Sequence, residues 1–143
     1  MTTLKKAIEI AIAAHKEQSD KYGAPYVLHV LRVMNAGRTT DEKIAGVLHD
    51  LVEDTPWTFE QLDQEGFQPH IIEALRCVTK INEEENYKNF IERIKVNPLA
   101  VAVKLNDLRD NMDLTRMPEV AEKDLPRLNK YLKAYKELEE IKL

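Results

Sequence analysis

Residues 44–54 read Ile-Ala-Gly-Val-Leu-His-Asp-Leu-Val-Glu-Asp. At ~100° per residue, Ile44, Val47, Leu48, Leu51 and Val52 fall on one arc. His49, Asp50, Glu53 and Asp54 fall on the other, with Gly46 near the middle of the polar arc. That period is helical, and the alternation a strand needs never persists in this chain. Glu53 lies one helical turn from both His49 and Asp50, so these groups share a face. Three carboxylates on one arc repel one another by about a few tenths of a kcal/mol per pair. A divalent cation would relieve that repulsion, and a neutral imidazole beside carboxylates suits one. Gly46, lacking a side chain, lets another group approach the backbone closely. The plain alternative is an amphipathic helix with a solvated acidic face.

Helical patterns continue on both sides. The spacing of Ala7, Ile10, Ala11 and Ala14 predicts a helix over Thr3 to Tyr22, broken by Gly23-Ala24-Pro25. A second follows over Tyr26 to Asn35, ended by Gly37. The helix over Glu42 to Asp54 is capped by Asp41 and stopped by Thr55-Pro56. Thr58 and Gln61 offer a capping box for a short helix to Gln64, stopped by Gly66. Further helices run from Pro69 to Thr79, from an Asn82 cap through Val96, from Asn97-Pro98 to near Leu114, and from Lys123 to Ile141. Eight helices with no strand and no sustained heptad seam predict an all-α fold, a compact orthogonal helical bundle, as one domain over 1–143.

Composition narrows the function classes. The 143 residues are 43% hydrophobic and 32% charged, a globular mix, and the net charge of −4 gives no electrostatic ground for nucleic acid or an anionic membrane as partner. No apolar run approaches the ~20 residues of a membrane span. The start Met1 to Lys6 looks like a signal n-region, but Ala7 to Ala14 is interrupted by Glu9 and runs into His15-Lys16-Glu17, so a signal peptide is not expected. The single cysteine, Cys77, fits a reducing, cytoplasmic setting. A small anionic substrate would then need local positive charge or a metal.

A second helix offers a further ligand. In Ala100 to Asn111, Val101, Leu105, Leu108 and Met112 make an apolar stripe, and Lys104, Asp107 and Asn111 make the stripe beside it. These groups stand on the border of the core, where a carboxylate can point into a cleft; read alone, Lys104 and Asp107 are equally an ordinary surface pair. His29 lies among apolar residues in Tyr26 to Leu31, where a histidine is usually satisfied by the core; other ligand types nearby make it a candidate. His15 shares that ambiguity and is assigned to structure or to the surroundings of the site. His70 is expected at the surface.

The order His29, His49-Asp50, Asp107 resembles the H…HD…D signature of HD-domain phosphohydrolases. More narrowly, the chain resembles the hydrolase domain of RelA/SpoT-type proteins and stand-alone small alarmone hydrolases. AHKEQ at 14–18, GAPYVLHVLRVM at 23–34, AGVLHDLVEDT at 45–55, VTK at 78–80 and the stretch 86–116 carry the likeness in one collinear order. The resemblance implies that His29, His49, Asp50 and Asp107 bind one divalent ion, typically manganese. It implies that Glu53 and Asp54 orient or activate the attacking water, and that Lys21, Lys104 and Asn111 lie near a nucleotide substrate. The implied reaction removes the 3′-pyrophosphate of (p)ppGpp, giving GDP or GTP and pyrophosphate. The length of 143 residues leaves no room for a synthetase domain, so pyrophosphokinase activity is not expected.

Two departures stand out. Asp20-Lys21 replaces a frequent Arg-Lys pair, which predicts repulsion of a phosphate at Asp20. Where many relatives read DRLHN, this chain reads Asp107-Leu108-Arg109-Asp110-Asn111, changing the surroundings of the metal ligands. Two further readings therefore stay open: the same metal fold acting on another phosphorylated compound, and a non-catalytic nucleotide-binding module.

Overall fold

Polar side chains satisfy free amides at the starts of five helices. Thr3, Thr39, Thr58, Asn86 and Asn97 each accept a hydrogen bond from the backbone N–H three residues further on. The structure, a computed structural model, describes residues 3–141; Met1, Thr2 and the last two residues of the expected domain and signal-like start lie outside them. Nine α-helices form among the described residues: α1 (Leu4–His15), α2 (Val27–Ala36), α3 (Thr40–Leu48), α4 (Leu51–Asp54), α5 (Phe59–Gln64), α6 (Pro69–Val78), α7 (Tyr87–Lys95), α8 (Pro98–Asn111) and α9 (Leu125–Ile141). The described chain has no strand, only a lone bridge between Ser19 and Pro25. Among the described residues no helix is long and apolar enough to cross a membrane.

The expected helix over Glu42 to Asp54 is two helices. His49 Nδ1–H donates to the Gly46 carbonyl at 2.6 Å, and the His49 backbone N–H turns to the same oxygen at 3.4 Å. Asp50 then takes φ −100° and ψ 1°, outside the helical well, and α4 restarts at Leu51. The kink separates the polar arc into two parts. His49 is buried and Asp50 nearly so, whereas Glu53 and Asp54 stay exposed. A uniformly solvated acidic face is therefore excluded.

Other boundaries differ for local reasons. The first helix stops at His15 rather than Tyr22 because the chain folds back on itself. Tyr26 N–H donates to Gln18 O at 2.9 Å, Asp20 N–H donates to Ala24 O at 2.8 Å, and Gly23 supplies a φ of +89°. Thr39, not Asp41, caps α3; Asp41 instead pairs with the exposed His70 at 2.8 Å. Asn82 accepts from Glu84 and Glu85 in a separate turn, and α7 waits for Asn86. The last helix begins at Leu125 after a 3₁₀ turn over Glu122–Asp124.

Helix α3 packs against α1, α2, α6 and α8, and α8 packs also against α2, α6, α7 and α9. Leu48, Leu51, Leu75 and Leu108 are fully buried where these helices meet. A Cβ at Gly46 would stand 3.3 Å from Met34 Cα and from the Val33 carbonyl, so the backbones of α2 and α3 nearly touch. Gly46→Ala gains about 1 kcal/mol of helix propensity but forces backbone apart, a strain of about 1–3 kcal/mol. We expect a net loss near 1 kcal/mol, read as a lower midpoint in thermal unfolding. A raised midpoint would show that α2 yields freely.

Candidate metal centre

The close approach at Gly46 brings a candidate ligand on α2 against one at the end of α3. The rings of His29 and His49 lie 5.3 Å apart between centroids. His29, His49 and Asp50 each offer a donor atom within 4.8 Å of the others. Asp107, one turn before the end of α8, stands against the two imidazoles of that group. Its Oδ1 stands 3.0 Å from His29 Nε2 and 3.2 Å from His49 Nε2, while Asp50 Oδ2 stands 3.5 Å and 3.1 Å from the same two atoms. The four residues named from the sequence thus converge, with His29, His49 and Asp107 buried.

The outer nitrogens explain the convergence. The Gly46 carbonyl can only accept, so His49 Nδ1 carries a hydrogen. Asp110 Oδ2 likewise holds the Nδ1–H of His29 at 2.6 Å. Both Nε2 atoms are thereby aimed at one point shared with two carboxylates, the arrangement that orients histidine ligands. Two imidazoles and two carboxylates form a donor set of borderline character, suited to a divalent first-row ion. Without an ion, protons take its place. Burial pulls the His29 pKa down, but Asp107, Asp110 and Asp50 override it and push the value up to about 11. Burial opposes the same rise in His49, where Asp50 and Asp107 lift the value to about 10. Burial disfavours the charges of Asp50 and Asp107 too, yet neighbouring imidazolium groups, and Lys104 beside Asp107, hold both below the usual carboxylate range. Two imidazolium protons carry the same charge as one divalent cation, so the residues fit a metal.

The surroundings restrain these ligands. Lys104 Nζ donates to Asp107 Oδ2 at 2.9 Å and Asn111 Nδ2 donates to Asp107 Oδ1 at 3.0 Å, so both residues hold this carboxylate in place. The Lys104 side chain is only 12% exposed and lies over the Phe90 ring, unlike a solvated surface pair. Tyr26 O–H donates to Asp50 Oδ2 and sits 3.5 Å from Asp54 Oδ2. Burial and the nearby charges of Asp50 and Glu53 push the Asp54 carboxyl up to about 6. Glu53 accepts from Lys80 N–H at 3.0 Å. Glu53 and Asp54 line a cleft of about 860 Å³ with Arg76, Lys80, Asn82 and Arg93. Lys21 lies in a different cleft with Arg127 and makes no ion pair among the described residues. His15 is buried, with Nδ1 at 2.8 Å from Gln18 Oε1, and Gln18 Nε2 donates to the Asp54 carbonyl at 2.9 Å.

Asp20 already has partners for its charge. Its Oδ1 accepts from the N–H groups of Tyr22 and Ala24 at 2.8 and 3.0 Å, and its Oδ2 pairs with Arg116 at 3.1 Å. Asp110, at a position expected to change the surroundings of the site, does so, whereas nothing in the sequence singles out Tyr26, Arg32 or Arg116. Arg32 Nε donates to Asp110 Oδ1 at 2.7 Å, completing the hold on His29's partner. The signal available for Asp110 was its charge at a changed position three residues after a ligand.

No family model matches this chain. It is 32% identical, over 120 residues and 76% of its length, to the guanosine-3′,5′-bis(diphosphate) 3′-pyrophosphohydrolase of Aquifex aeolicus, of which the match covers 17%. It is 28% identical over 123 residues, 76% of this chain and 17% of the relative, to the bifunctional (p)ppGpp synthase/hydrolase SpoT of Escherichia coli. The chain thus spans about 17% of the length of the curated relatives it matches. Its fold is similar, with a TM-score of 0.77 and 24% identity over 99% of this chain and 94% of the other, to a solved structure described as a metazoan ortholog of SpoT that hydrolyses ppGpp and acts in starvation responses. With its paired imidazoles and carboxylates on an all-α scaffold, the chain is a homologue of the SpoT/RelA-type proteins over one stretch of their length.

Proposed function

We propose that this protein is a metal-dependent phosphohydrolase that removes the 3′-pyrophosphate of (p)ppGpp. The convergence of His29, His49, Asp50 and Asp107 on one point carries the reading. These four residues would hold a divalent ion, which we take to be manganese, and it would supply a water of lowered pKa and polarise a phosphoryl oxygen.

The chain's own groups do the rest. Asp54, raised to about 6 and within reach of Tyr26, takes a proton from the attacking water at neutral pH, with Glu53 beside it in the same cleft. Arg76 and Lys80 bring positive charge to that cleft, which a chain of net −4 needs for a phosphorylated substrate. Lys21, in a separate cleft, offers a further cation. Lys104 and Asn111 serve the nucleotide by fixing Asp107 at the site's edge. We place the reaction in the cytoplasm, on a small nucleotide rather than nucleic acid or membrane.

Turnover of ppGpp with manganese, measured beside a panel of other nucleotides, tests this. Release of pyrophosphate from ppGpp above the rest of the panel supports it, and preference for another compound overturns the substrate assignment. Asp54→Asn and Glu53→Gln should spare manganese binding while lowering the rate by about 10²–10⁴-fold, the range for a lost acid–base group. Full activity in either variant removes that residue from the mechanism. Because Asp54 must be ionised, the wild-type rate should climb as pH rises through about 6.

A further inference from the structure

We propose that Arg116 is a positioning residue that holds the loop over residues 19–25 and the imidazole of His29 in one fixed relation, by bridging Asp20 and Asp110. The inference rests on the reading of His29 as a metal ligand.

Arg116 ends a 3₁₀ turn, Leu114–Arg116, just past α8. Its Nη1 donates to the Asp110 carbonyl at 2.8 Å and to Asp110 Oδ2 at 3.0 Å. Its Nη2 donates to Asp20 Oδ2 at 3.1 Å. The same Asp110 Oδ2 accepts from His29 Nδ1 at 2.6 Å. A continuous path therefore runs from Asp20 through Arg116 and Asp110 to His29. Side-chain exposure along it is 11%, 18%, 9% and 4%, so water screens these contacts little.

Neutralising Asp110 does not explain Arg116. Arg32 already meets that carboxylate with two nitrogens, at 2.7 and 3.2 Å. What Arg116 adds is the contact to Asp20. Asp20 Oδ1 is committed to shaping its own loop, and Oδ2 is the atom left to tie that loop elsewhere. The far end of the loop is anchored as well, since Tyr26 follows it and donates to Asp50. Both ends of the segment carrying Lys21 are thus fastened to metal-ligand residues, one directly and one through Arg116. Only a planar guanidinium, with separate arms, spans two carboxylates in this way.

Manganese affinity of the full chain, measured by titration calorimetry on wild type, Asp20→Asn, Arg116→Gln, Arg116→Lys and the Asp20→Asn/Arg116→Gln pair, tests the bridge. Asparagine keeps an oxygen for the loop amides and removes the charge that meets Arg116. We expect Asp20→Asn to weaken manganese binding about 2- to 30-fold, the range for a coupled network, although it touches no ligand. Arg116→Gln should weaken it at least as much, Arg116→Lys should not restore it, and the double variant should be no weaker than Arg116→Gln. Wild-type binding with an unchanged Asp20→Asn affinity overturns the bridge and leaves the metal reading standing, as does a lowered unfolding midpoint with affinity unmoved. Full additivity in the double variant also overturns it. Wild type that binds no manganese overturns both.

Discussion

Asp107→Ala should strip the protein of its divalent ion and abolish turnover. The carboxylate accepts from Lys104 and Asn111 and meets both Nε2 atoms, so four groups lose their common partner at once. Loss of an outer partner of a metal ligand lowers affinity by about 10–100-fold. Loss of the ligand itself should exceed the upper end of that range. The metal-free protein should suffer as well, because the Lys104 side chain, only 12% exposed, loses its carboxylate partner. Removing one member of a buried ion pair costs about 3–5 kcal/mol. Asp107→Asn separates the two effects: it keeps a side-chain oxygen for Lys104 while removing the charge an ion needs. Manganese titration of both variants, with chemical unfolding in chelator, reads each quantity independently. If Asp107→Ala bound manganese as wild type does, the four-ligand centre would be wrong.

The candidate ligands stand out in the sequence because their residue types break a helical pattern at the edge of its apolar stripe. Asp107 beside Val101, Leu105 and Leu108 has to emerge near the core, and it is buried there. The kink at His49-Asp50 was not legible. It follows from a side-chain hydrogen bond to Gly46, and periodicity carries no information about such a bond. Asp20 and Asp110 show a different limit. Read singly, each is a negative charge where a cation or imidazole was expected. Only the fold brings Arg116 between them and makes the pair complementary. The end of α1 was missed likewise, because the turn that stops it depends on Asp20 folding onto amides two and four residues later.

Proton and ion competition gives the steepest expected dependence on conditions. Both imidazoles have folded pKa values above the ordinary 6.5, at about 11 for His29 and about 10 for His49. Groups raised in this way stabilise the metal-free fold fully below about 6.5, and that stabilisation drains as pH climbs toward their folded values. Between those limits the unfolded chain has released protons that the native chain keeps. Stability should then fall by about 1.4 kcal/mol per pH unit for each imidazole. A bound divalent ion must displace both Nε2 protons, so binding near pH 8 should release about two protons. Manganese affinity should therefore climb with pH, toward a limit of about 100-fold per unit. Calorimetry in two buffers of different ionisation enthalpy counts the protons directly. Unfolding midpoints with manganese and with chelator should diverge as pH rises from about 6 to 9, the chelated form falling while the loaded form holds. Binding without proton release, or midpoints that run parallel across that range, would mean that the imidazoles are already neutral and that the carboxylates alone govern the centre.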